Sequence, residues 1–174
     1  MSNIESKPEV WQRGPVEGVP SLLQPAAHAI LQAREEVIAL MKDFPENSLW
    51  IKPAGMASAG FHLQHLSGVL DRLYTYARNE KLNPQQMQQL HDEAISSNEN
   101  LNVRNLIERF NKQVDTAIVQ LKNTDPSMLT EFRGIGRKQI PTTLIGLLFH
   151  AAEHTMRHLG QLIVTAKIVK EGKW

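Results

Sequence analysis

The spacing of apolar residues constrains this chain more than any other feature. In "VRNLIERFNKQVDTAIVQLKN", Val103, Leu106, Phe110, Val114, Ile118 and Leu121 recur three or four positions apart, the period of one face of an α-helix. The same period runs through "AAHAILQAREEVIALMKDF", where Pro25 suits a first helical turn and Pro45 marks the stop. It runs again through "AGFHLQHLSGVLDRLYTYARNE", for which Ser58 is a suitable N-cap. The longest segment starts at Pro141-Thr142 and reaches about Lys170, with Leu144, Leu148, Ala151, Thr155, Leu162, Thr165 and Val169 on one line. No alternating strand pattern of useful length and no internal repeat competes with these. Four helices that each carry one apolar stripe bury those stripes against one another, so the expected fold class is all-α, a four-helix bundle.

The remaining segments fit around that bundle. Asn83-Pro84 reads as the cap and first turn of a short extra helix, "PQQMQQLHDEAI", interrupted by the asparagine-rich "SSNENLN". "TDPSMLTEFRGIGRKQIP" is a loop or a small hairpin. Residues 1–21 lack periodicity and read as an extended arm, with Trp11 as its anchor. A length of 174 residues suits one core, so a single domain over 1–174 is expected.

Several function classes are disfavoured at once. A net charge of +1 gives no pull toward nucleic acid or an anionic membrane. No apolar run approaches a membrane span, and the polar start lacks a signal-peptide core, which favours a cytoplasmic protein. Cysteine is absent, so any chemistry must use imidazole, carboxylate, hydroxyl or a thiol brought from outside.

Against that background the histidines stand out. "HAAEHTMRH" places His150, His154 and His158 at i, i+4 and i+8 of the last helix. The outer two are roughly 12 Å apart along the axis, too far to share an ion whose nitrogen ligands sit about 2.0–2.1 Å away. Either adjacent pair has chelating spacing. At about 100° per residue, His158 lies roughly 30° from the apolar line, His154 roughly 70° and His150 roughly 110°. The inward pair is therefore His154 and His158, with His150 a boundary residue. A third nitrogen is offered by "FHLQHL" on the second long helix, through His62 or His65. Periodicity places His62 closer to the stripe of Leu66, Val69, Leu70 and Leu73.

"SAGFHLQHLSGVLDRL" followed far downstream by "FHAAEHTMRHLGQL" resembles the DinB-like family, including its YfiT-type metal-dependent hydrolase-like and bacillithiol-transferase-like members. The likeness runs from Leu22 to Lys170 with helix order intact. It implies a bundle of the DinB/YfiT-like type and a divalent ion, most often zinc or nickel, on one histidine of the second helix and two of the last. Matched onto this sequence, those ligands are His65, His154 and His158, at odds with the periodicity that favours His62. It further implies a small-molecule substrate and a homodimer. Leu63 and Tyr74, opposite the main stripe of the second helix, offer apolar surface that a second copy, or the arm with Trp11, would cover.

Three neutral imidazoles leave a divalent ion an open position, as in catalytic zinc sites. The function implied by the resemblance is metal-dependent thiol transfer, with an exogenous low-molecular-weight thiol, or hydrolysis. The alternative is a non-catalytic, metal-binding, stress-associated bundle; a third reading is an interaction module with incidental histidines. Among lesser candidates, Gln161 is poised to bond a ligating histidine or substrate, or to be a polar boundary residue. Glu153 reads as a solvated face. Arg133, Arg137 and Lys138 read as a solvated loop before an anion clamp, and Trp50 as a packing anchor.

Overall fold

The protein is described by a computed structural model over residues 7–93 and 101–172. Its long helices are α1 (Gln24–Met41), α2 (Ala59–Ala77), α4 (Val103–Lys122) and α5 (Leu144–Lys170), with a short α3 (Pro84–Asp92) between α2 and α4. An antiparallel hairpin of β1 (Phe132–Ile135) and β2 (Ile140–Thr143) leads into α5. α5 packs on α1 and α2, and α4 packs on the same two helices. Around the bundle the order is therefore α1, α5, α2, α4, and the sequence neighbours α1 and α2 sit on a diagonal. That crossing brings α2 against α5, the two histidine-bearing helices.

Local chemistry sets the helix starts. Ser58 accepts from the Phe61 N–H (3.2 Å), Asn102 from that of Asn105 (2.9 Å) and Thr143 from that of Gly146 (3.1 Å), each cap worth about 1 kcal/mol. Asn83 and Gln86 exchange bonds reciprocally at the start of α3. The last helix begins at Leu144 rather than at Pro141-Thr142. Pro141 stands opposite Gly134 in the hairpin, so the backbone remains extended until Thr143 caps the helix. The expected apolar line of α5 is buried throughout. On α4 the stripe holds except at Ile118, which is half-buried while Ala117 takes the inner place.

α2 departs from the amphipathic pattern. Leu63 and Tyr74 are both fully buried within the chain, so they are not free surface for a second copy. α2 meets α5 and α4 across the bundle, and α3 and β1 from outside, which leaves it no solvent face. The arm does not cover those residues either; it lies on α1. Its anchor is not Trp11, which is 61% exposed and whose indole N–H donates to Glu9 at 2.7 Å. Val10 and Val19 are the buried contacts, and Lys7 and Arg13 both pair with Glu35 on α1.

One glycine of α5 tests the helix energetics in isolation. A Cβ at Gly160 would meet nothing within 4 Å. Gly160→Ala should therefore raise stability by about 0.5–1 kcal/mol, read as a higher urea midpoint at unchanged slope. A lower midpoint would mean that this face of α5 is covered.

Candidate metal centre

The site is built where α2 and α5 run side by side. Capping at Ser58 starts α2 so that His62 and His65 fall in its first two turns, facing α5. One turn separates His154 from His158 on α5. Donor nitrogens of His65, His154 and His158 all lie within 4.8 Å of one another. His65 Nε2 and His154 Nε2 are 2.9 Å apart, inside the roughly 4 Å that two nitrogens on one zinc can span. His65 and His158 have ring centroids 4.2 Å apart, and His154 and His158 4.6 Å. All three rings are half-buried, on the flank of the seam rather than at its centre. Phe61 stacks on His65 at 5.4 Å and 12°.

His62 has a different place. It is 3% exposed, and its Nδ1 lies 3.2 Å from His158 Nδ1. It supports a member of the cluster from behind, whereas His65 stands within it. Glu93, at the end of α3, was not singled out from sequence. Its Oε2 lies 2.7 Å from His65 Nδ1 and its Oε1 2.6 Å from Arg72 Nη1. One cue to this network lies in the sequence: Arg72 is a charged residue seven positions after His65, on the same face of α2. Nothing marked Glu93 itself, 28 residues from His65.

Burial and mutual repulsion disfavour protonation of three of these histidines. Burial first, and then the neighbouring His65, His154, His62 and Arg157, push the His158 pKa down from 6.5 to about 4. Burial and His65 lower His62 to about 4 as well. His154 is lowered by burial, then by His65, His150 and Arg157, with Glu153 opposing. For Glu93, burial acts upward, but the hydrogen bonds from His65 and Arg72 together with their charges prevail and hold its pKa below 4.5. Deprotonated imidazoles are the form that binds metal. His154 Nδ1 is buried with no hydrogen-bond partner, the kind of orphaned polar atom that marks a site built for something besides protein. The donor set therefore fits a divalent cation of zinc or nickel type.

These shifts predict a pH signature in the metal-free protein. Folding holds His62 and His158 neutral while the unfolded chain protonates them from pH 6.5 downward. The unfolded state then binds more protons, so stability is full above pH 6.5 and falls as pH drops toward 4. The slope is at most about 1.4 kcal/mol per pH unit for each histidine, and partial exposure of His158 lowers it. Urea midpoints between pH 7.5 and 4 check this, and His62→Gln should flatten the curve. An unchanged curve in that variant would contradict the assignment.

The other candidates fall away from the cluster. His150 is exposed, and with Glu153 and His154 it makes a second group of convergent donors. Glu153 in that group already bonds the Arg157 guanidinium (2.9 Å) and sits 3.4 Å from His150. Gln161 is exposed, and Arg137 and Lys138 are exposed in the hairpin turn. Arg133 is neither solvated nor a substrate clamp. It is 6% exposed and its Nε donates to the Ala77 carbonyl (2.8 Å), tying the hairpin to the end of α2. Trp50 packs against the core over Gly60. No helix among the described residues is long and apolar enough to cross a membrane.

Comparison with known proteins agrees with this architecture. A model of the DinB superfamily matches residues 29–162. A crystal structure of a Streptococcus pneumoniae protein from a structural-genomics programme superposes with a TM-score of 0.61 at 11% identity, over 86% of this chain and 90% of that one. At that identity the likeness concerns the fold alone. No curated protein matches the chain.

Proposed function

The chain belongs to the DinB superfamily, and on that premise we propose that it is a metal-dependent enzyme that acts on a small molecule by thiol transfer or hydrolysis. The observation that carries this reading is the convergence of His65, His154 and His158, from two helices, within 4.8 Å. Those residues would hold the ion, zinc or nickel by their chemistry. A divalent ion so held supplies a Lewis acid that makes a thiol or a water molecule nucleophilic near neutral pH.

The protein's own contribution is to orient the donors and to disfavour protonation of His154 and His158. Glu93 faces His65, His62 faces His158, and Phe61 covers the His65 ring. With no cysteine in the chain, the thiol in the transfer reaction must be exogenous. A homodimer belongs to this reading only through the family resemblance; light scattering over a concentration series tests it, and a mass fixed at one chain overturns it.

The decisive experiment is metal analysis of protein purified without a histidine tag, followed by assays with low-molecular-weight thiols and electrophiles. One zinc or nickel per chain, with turnover that chelation removes, is the expected result. Bound metal without turnover of thiol or hydrolytic substrates would favour the non-catalytic bundle. Absence of stoichiometric metal after loading would overturn the reading.

A further inference from the structure

A buried ion pair stands directly behind the histidine cluster. Glu93 is 4% exposed and Arg72 8%, a costly arrangement unless every charge is met. One face of α2 grips Glu93 at three points. Gln64 Nε2 donates to its backbone carbonyl (3.0 Å), Arg72 Nη1 donates to Oε1 (2.6 Å), and His65 Nδ1 meets Oε2 (2.7 Å). Gly68 provides the room: a Cβ there would overlap both Glu93 Oε1 and Arg72 Nη1. Residues 64, 65, 68 and 72 lie on one side of α2, so a single helix face forms the seat.

The chemistry of that seat is directional. An ionised carboxylate only accepts, so the proton between Oε2 and His65 belongs to Nδ1. In the neutral ring Nε2 then carries the lone pair, and Nε2 is the atom facing His154 at 2.9 Å. A neutral histidine without such a partner exchanges between its two tautomers.

We propose that Glu93, held by Arg72, is a positioning residue that fixes His65 in the Nδ1–H tautomer and thereby presents Nε2 to a divalent cation. This rests on the three-histidine metal reading. The short helix α3 is then part of the metal centre, because it delivers the carboxylate. A pair that merely pinned α3 to the bundle would affect stability but neither the tautomer nor the metal affinity.

The test uses ¹⁵N NMR of the imidazole nitrogens in metal-free protein, together with zinc affinity by chelator competition. Arg72→Met/Glu93→Leu removes both charges at once, so no unpaired charge is buried, and it removes the acceptor. Arg72→Met/Glu93→Gln also removes both charges but keeps an amide oxygen that accepts from Nδ1–H. Wild type and the Gln double variant should show His65 protonated at Nδ1 and bind zinc with similar affinity. The Leu double variant should lose that signature and bind zinc about 10- to 100-fold more weakly. Wild-type zinc binding with a Leu double variant indistinguishable from the Gln one, in tautomer or affinity, overturns the assignment to Glu93 alone. Failure of the wild type to bind zinc overturns the metal reading, and this proposal with it.

Discussion

His154→Ala and His158→Ala should each weaken zinc or nickel binding by about 100-fold or more, whereas His150→Ala should change it less than about threefold. All three residues lie on one face of α5, one turn apart, so the contrast tests geometry rather than composition. His154 and His158 share convergent nitrogens with His65 across the α2–α5 contact. His150 is an exposed residue beside Glu153, and losing it removes only a solvated imidazole. His65→Ala should match the two large losses, because it is the α2 contribution to the cluster. His62→Ala should weaken binding less than these, since His62 contacts His158 from behind. Equal loss from His150→Ala would move the ion to the outer group of His150, Glu153 and His154.

The choice between His62 and His65 shows where sequence reasoning reaches its limit. Periodicity locates a ligand by its angle from an apolar stripe, which assumes one buried face. That assumption holds for α5, whose seam residues are buried as expected and whose outermost histidine, His150, is exposed while His154 and His158 are half-buried. It fails for α2, where Leu63 and Tyr74 on the far side are as buried as Leu66 and Leu70. With no solvent face, α2 has no seam centre. His62 and His65 differ instead in which neighbour each meets. The family resemblance points to His65, and His65 is the one whose nitrogen lies with those of His154 and His158. Neither could supply Glu93, because its place depends on how α3 docks. A short helix with a single buried residue, Gln86, gives no stripe from which to read that docking. The arm follows a related rule: side-chain size points to Trp11 as its anchor, yet two valines and an ion-pair cluster on Glu35 hold it down.

Arg72→Met should cost about 3–5 kcal/mol of stability, and adding Glu93→Leu should restore most of it. The cost comes from unpaired buried charge. In the native protein Arg72 Nη1 lies 2.6 Å from Glu93 Oε1, and both side chains are less than one-tenth exposed. Removing the guanidinium leaves a buried carboxylate that keeps its direct contact with His65 and the more distant charge of Arg109, but loses its closest cation. Replacing both partners with apolar side chains removes the desolvation cost on each side, and that is why the double variant recovers. The pH dependence separates this explanation from simple loss of packing. With Arg72 present, the Glu93 pKa is below 4.5, so the group adds stability above pH 4.5 that is lost as pH falls through its folded value. Without Arg72, burial is opposed by less, and the folded pKa of Glu93 rises from its native value. The stability that ionisation adds then shrinks, so the shortfall against the native protein is small where both folded forms are protonated and opens as pH rises through their folded values. Urea denaturation of Arg72→Met between pH 4 and 8 should therefore show a deficit that widens toward high pH. A deficit of the same size at every pH would assign the loss to packing and leave the Glu93 charge out of it.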